Sequence, residues 1–212
     1  MTSIPLKPQY GPTLGSLLEP RWRSAAPTVR ALVIAAGVGL VALMIALVLS
    51  LLNASYSQGG AVPFSFEYRG LYKTPPNPGG YVKVARSSGG ELQDSYAVAP
   101  LSIGPYAGSV TGELPLAAAA YTNKLATRFP GFRLEGEGKT RISSTLAGYD
   151  VLYSAFVGGQ KLYGRDVILI PSHHGAREGV VVEMLSSEAA SISKPVASSG
   201  VLETPLKTFA FG

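Results

Sequence analysis

The chain has no cysteine, which excludes a thiol nucleophile, a cysteine-based zinc or iron–sulfur site, a disulfide and the lipid-modified cysteine of a bacterial lipoprotein. Any part outside the cytoplasm must therefore be stable through its core alone. Histidine is nearly as scarce, with only His173 and His174. Charge is sparse too, at 15% of residues against 46% hydrophobic. Over 212 residues that imbalance suggests a membrane segment beside one or two small domains. The formal net charge of +5 is not a nucleic-acid footprint, because it is unevenly placed. Residues 1–30 hold Lys7, Arg21, Arg23 and Arg30 against Glu19, leaving 14 of the 18 basic and 12 of the 13 acidic residues to the rest. A short basic tail next to a membrane accounts for much of the surplus, and no nucleic-acid partner is expected.

What the chain does have is one long apolar run. From Ala31 to Leu52 there is no charge, and Ser50 is the only polar side chain. At about 1.5 Å per residue the run spans about 33 Å, close to the hydrocarbon thickness of a bilayer. A helix satisfies its own backbone groups in lipid, so a single transmembrane helix over 31–52 is predicted. A buried helix in a soluble core seldom lacks every charge over such a length. A cleaved signal peptide fits poorly, since its apolar region is usually about 7 to 15 residues and Leu52-Asn53-Ala54 puts a large residue where a small one is preferred. Four basic residues precede the run, whereas Glu67 is the first charge after it. The positive-inside tendency then predicts a cytoplasmic N-terminus and an extracytoplasmic body in the cell membrane.

Along this helix Ala31, Ala35, Gly39, Ala42, Ala46 and Ser50 form a seam of small residues. Such a seam lets backbones approach closely and predicts a homodimer or a partner transmembrane helix. Chance in an Ala-rich helix gives similar runs, and Ala36 and Gly37 lie off the seam. Before the helix, Pro5, Pro8, Pro12, Pro20 and Pro27 prevent a continuous helix, so residues 1–30 read as a disordered, basic, Pro-rich cytoplasmic head. Lys7 beside Pro5 and Pro8 would suit a polyproline II docking site, but a tail that fixes topology explains it as well. Trp22 between Arg21 and Arg23 suits the inner headgroup region. After the helix, residues 53–61 are small and polar and read as a tether, leaving 62–212 as an extracytoplasmic domain. Asn53-Ala54-Ser55 fits a glycosylation pattern, but it lies against the bilayer.

In the domain, Phe64, Phe66 and Tyr68 alternate with Ser65, Glu67 and Arg69 in a half-buried strand. Past the loop Thr74-Pro-Pro-Asn-Pro-Gly-Gly80, strands are expected over Tyr81–Arg86 and Ser95–Ile103. Leu114, Ala118, Tyr121, Leu125 and Phe129 recur at helical spacing, with Pro115 in the first turn and Pro130-Gly131 as the stop. Asn123, Lys124, Thr127 and Arg128 form that helix's wet side. Gly148–Val157, Leu162–Pro171 and Gly179–Ser186 read as an antiparallel meander, and a short helix is expected within Val196–Thr208. Val167 and Leu169 point opposite to Ile168 and Ile170, so the sheet should be covered on both faces. The class is α+β, a mainly antiparallel sheet flanked by helices.

The aromatic opening strand, the helix Pro115–Phe129, the meander containing Gly164-Arg-Asp-Val-Ile-Leu-Ile170 and the closing Leu206-Lys-Thr-Phe-Ala-Phe211 together resemble PsbP-like domains. That family has an α/β/α sandwich around an antiparallel sheet and includes photosystem-associated proteins, a Ran-binding regulator and anchored actinobacterial envelope proteins. The resemblance covers about residues 63–212 and implies a non-catalytic module that binds or assembles with another macromolecule. It transfers no functional residue.

Catalytic groups are few. His173 and His174 on a strand would point to opposite faces, so they could share an ion only in a bent turn, with Glu178 as the nearest third ligand. A solvated hairpin tip is the simpler reading of the same residues. No Gly-x-Ser-x-Gly elbow supports a hydrolase. Gly136-Glu-Gly-Lys-Thr140 ends like a phosphate-binding loop, but Arg133 stands where the first glycine belongs. Asp150 and Asp166 could form an acid pair on facing strands, although Arg165 and Lys161 favour a surface ion pair. Tyr149, Tyr153 and Tyr163 would make a binding patch if exposed, or a core beneath the helix that carries Tyr121. No catalytic, metal or cofactor residue is assigned. The chain reads as a single-pass membrane protein presenting a binding or assembly domain to a protein partner. An envelope enzyme using His173 or His174, and a signalling subunit acting through its head, are the alternatives.

Overall fold

The computed structural model describes residues 26–51, 53–104, 109–142, 146–171 and 178–212. Residues 1–25 of the expected head lie outside that description, as do His173 and His174. The chain divides into two compact units, Met1–Leu51 and Leu52–Gly212.

In the first unit, helix α1 runs from Pro27 to Leu51, four residues earlier than expected. Pro27 takes the first helical position, where a missing N–H costs nothing because first-turn amides have no partner within the helix. The Val29 and Arg30 amides both donate to the Ala26 carbonyl. Pro27–Ile45 has a mean hydropathy of 2.2 and none of its most apolar window is buried, so α1 is long and apolar enough to cross a membrane.

The second unit is α+β. Its strands are β1 (Ala54–Gln58), β2 (Phe64–Tyr68), β3 (Tyr72–Thr74), β4 (Val82–Ser88), β5 (Glu91–Ser102), β6 (Arg133–Arg141), β7 (Ala147–Val157), β8 (Gln160–Leu169), β9 (Glu178–Ser186) and β10 (Ala210–Phe211). Helix α2 (Val110–Arg128) separates β5 from β6, and α3 (Glu203–Lys207) precedes β10. Seven strands form one antiparallel sheet in the order β3-β4-β5-β9-β8-β7-β6. The other three make a smaller antiparallel sheet, β1-β2-β10.

Both faces of the large sheet are covered, as the pattern in β8 required. Ile168 and Ile170 pack with Leu114, Ala118, Tyr121 and Leu125 of α2. Val167 and Leu169 face the other way, into a core with Phe64, Phe66, Leu206 and Phe209. Each Leu, Ile, Val or Phe among them contributes about 1.5–3 kcal/mol when fully buried. The far layer is thus the small aromatic sheet together with α3, a second sheet that the sequence pattern does not reveal.

Three expectations change. Residues 54–58, read as a tether, form β1, and every residue from Ala54 to Gln58 pairs with β2. Tyr56 packs its ring on Phe64 and Phe66, which gives this polar strand an apolar anchor. Helix α2 begins at Val110, so Pro115 lies in its second turn instead of its first. Arg128, assigned to the helix's wet side, instead reaches Glu183 on β9.

Candidate functional site

The strongest concentration of buried polar groups lies beneath α2. Asp166 and Glu183 are direct partners on the adjacent strands β8 and β9, on the face that α2 covers. Asp166 is completely buried, and the Glu183 side chain is 13% exposed. The Tyr121 hydroxyl, projecting from α2, lies 2.9 Å from Asp166 Oδ2 and 3.0 Å from Glu183 Oε1. From β7, the Tyr153 hydroxyl is 3.3 Å from both Asp166 oxygens. Arg128, at the end of α2, places Nη1 2.7 Å from Glu183 Oε1, and Asn77 donates to Glu183 Oε2 at 3.3 Å.

The electrostatics follow from that geometry. Burial, reinforced by the Glu183 carboxylate, pushes the Asp166 carboxyl well above its ordinary value, while the Tyr121 hydrogen bond and the Arg128 charge pull weakly the other way. Burial and then the two acids push the Tyr121 phenol well up, and burial with Asp166 does the same to Tyr153. Burial disfavours the Arg128 charge, but the hydrogen bond and charge of Glu183 outweigh it and hold the guanidinium above its ordinary value. Asp166 and the two phenols are thus held in surroundings that favour their protonated forms.

Gly164 makes room for it, because the Tyr153 ring occupies the space that any Cβ at residue 164 would need. The tyrosines expected as a patch or a core therefore divide between faces. Tyr149 and Tyr153 belong to the core under α2, and Tyr163 packs against the opposite core.

Asp150 and Asp166 do not form an acid pair. Asp150 stands opposite Val167 and Asp166 opposite Val151, which puts the two carboxylates on opposite faces of the sheet. Asp150 instead takes a two-pronged bond from Arg165, Nε to Oδ1 at 3.1 Å and Nη2 to Oδ2 at 2.9 Å. The expected ion pair is real, but it is not at the surface: the Arg165 and Asp150 side chains are 10% and 16% exposed. Arg165 Nη1 also donates to the Val196 carbonyl, tying the irregular segment before α3 to the sheet.

The remaining sequence candidates are structural or lie elsewhere. Gly136–Thr140 falls inside strand β6, which leads into strand β7 and not into a helix. Glu178 starts β9 and is exposed, and the two histidines are outside the described residues. Among the described residues, no three His, Asp or Glu side chains gather closely enough to hold a metal ion. A cleft of about 270 Å³ opens beside α2, lined by Leu101, Ile103, Leu116, Ala117 and Ala120 with Glu113 and Lys124. Glu113 sits in the first turn of α2, where the free amides at a helix N-terminus favour a carboxylate.

No protein-family model matches the chain, and no curated protein matches it in sequence. In structure it is similar to LpqN of Mycobacterium tuberculosis, a protein involved in cell envelope biogenesis. That likeness has a TM-score of 0.49 and 9% identity, covering 75% of this chain and 91% of LpqN. It is similar also to the Ran-binding protein Mog1p of Saccharomyces cerevisiae, with a TM-score of 0.47 and 9% identity over 76% of this chain and 96% of Mog1p. The expected PsbP-like architecture is matched coarsely, as a mixed α+β domain behind an apolar N-terminal helix.

Proposed function

We propose that this is a single-pass membrane protein, N-terminus inside, that holds an α+β domain on the extracytoplasmic side for binding or assembly and performs no catalysis of its own. The observation that carries the reading is α1: 25 residues, strongly apolar and unburied within its own unit, followed at once by a domain with cores of its own. An apolar helix left without protein cover is solvated by lipid, and the basic residues before it set its direction. The described charged groups of the domain that are most buried have partners within it, Asp166 in Tyr121, Asp94 in Arg86 and Ser186, and Arg165 in Asp150, which favours a scaffold over a site for chemistry. The partner is a protein, and the seam of Ala31, Ala35, Gly39, Ala42, Ala46 and Ser50 brings two copies of α1 together. Of these, Ala31, Ala35, Gly39 and Ala42 are exposed on α1, while the side chains of Ala46 and Ser50 lie outside the description.

Affinity purification from native membranes tests the reading when the full chain is compared with a variant lacking residues 1–29. A stoichiometric protein that stays bound without the head is expected. Loss of that protein with the head would make the cytoplasmic side the working end, and hydrolytic or metal-dependent turnover by the purified chain would end the non-catalytic assignment.

A further inference from the structure

A phenol has one proton to give, and Tyr121 faces two carboxylates. Its oxygen is 2.9 Å from Asp166 Oδ2 and 3.0 Å from Glu183 Oε1, so it can donate along only one of these contacts. The other contact needs a proton from a different source. Tyr153 directs its own hydroxyl at Asp166, while Arg128 and Asn77 serve Glu183. The groups facing Asp166 are Tyr121 and Arg128 from α2, Tyr153 from β7, and Glu183 with the Met184 backbone N–H from β9. Arg128 is the one cation among them. Two ionised acids would leave the cluster with a net charge of −1 around a carboxyl that is completely buried. One added proton makes it neutral and fills the open contact.

We propose that Asp166 and Glu183 hold a single proton between them through Tyr121, and that this proton keeps α2 seated on the sheet. It resides on Asp166 Oδ2 and is donated to the Tyr121 oxygen, whose own proton goes to Glu183 Oε1. When it leaves to solvent, two carboxylates directly opposite each other on neighbouring strands repel. Tyr121 and Arg128, which make the polar part of the attachment, both belong to α2, so the helix loosens before the strands do. The domain thereby gains a pH-dependent element on one face.

The test is amide hydrogen exchange of the full chain in nanodiscs from about pH 5 to about pH 9, with each rate corrected for base-catalysed intrinsic exchange. An exposed Asp166 carboxyl in the opened state would titrate near pH 4, as free aspartate does. From about there until the proton leaves the closed cluster, the opening constant of α2 should rise by up to about tenfold per pH unit. The amides of β8 and β9 should change less. Asp166→Asn keeps the shape but has no proton to lose, and its α2 profile should be flat. Glu183→Gln leaves Asp166 beside Arg128 without a repelling neighbour, and its slope should shrink. A flat wild-type profile, or an equal slope in wild type and Asp166→Asn, overturns the proposal. Where Asp166→Asn does not fold, an unchanged slope in Glu183→Gln does the same.

Discussion

Tyr121 shows how much of this domain's behaviour rests on single atoms. Its ring fills the core under α2, and its oxygen is the shared contact of two buried acids. Tyr121→Phe keeps the packing and removes the bridge, and should lower stability by about 1–3 kcal/mol in urea titrations of the full chain in detergent. The folded state raises the Asp166 carboxyl above its unfolded value. Its contribution is then complete below about pH 4 and is lost as pH rises through the folded value. The wild-type urea midpoint should consequently fall with rising pH more steeply than that of Asp166→Asn. Gly164→Ala would drive a methyl into the Tyr153 ring, and a loss of about 1–3 kcal/mol is expected. Gly138→Ala, which meets nothing within 4 Å, should be nearly neutral in the same titration. Only part of this was legible: the strand holding Asp166 reads as apolar on both faces, but Arg165 beside it in sequence pointed to a surface ion pair instead of a buried acid. Glu183 could not be named as its partner in advance, because the β8–β9 register is a pairing between separate segments, and Arg128 and Asn77 reach Glu183 from other elements again.

At the scale of elements, apolar periodicity located most of the large sheet, and packing supplied the rest. Strand β5 contains Pro100, whose missing N–H argues against a central strand. The structure resolves this, because β4 pairs only as far as Val98, so at Pro100 only β9 lies alongside, through Val180. Strand β6 was missed since Arg133–Arg141 is charged and glycine-rich, a composition that suits an outer strand and blunts its free edge. Strand β1 was missed because Ala54–Gln58 is polar apart from Tyr56, and its pairing energy comes from a partner ten residues on. In hydrogen exchange, amides of β1 bonded into β2 should be slower than those of Gly59–Ala61, whereas a true tether would exchange uniformly fast. The seam on α1 belongs to this scale too. Disulfide crosslinking of Ala35→Cys should exceed that of Ala36→Cys in membranes, and equal crosslinking would remove the seam.

For the whole molecule, the decisive matter is which solvent surrounds each part. The domain buries Phe64, Phe66, Tyr96 and Phe209 in one core and Leu114, Leu125 and Ile168 in the other, so it asks nothing of a bilayer for its own stability. Among the described residues of helix α1, Leu32, Val38, Leu40 and Leu43 are each at least 65% exposed. The apolar helix was readable directly from the sequence, because a long uncharged run depends on length and composition and not on long-range pairing. The absence of native cysteine makes its orientation measurable without background. Single cysteines at Ser3, in the expected head, and at Ser88, the exposed last residue of β4, can be labelled with a membrane-impermeant maleimide on intact cells whose outer barrier has been removed. Ser88→Cys should label at once and Ser3→Cys only after the membrane is permeabilised; the reverse pattern, or protection of both until lysis, would contradict an anchored domain facing outward.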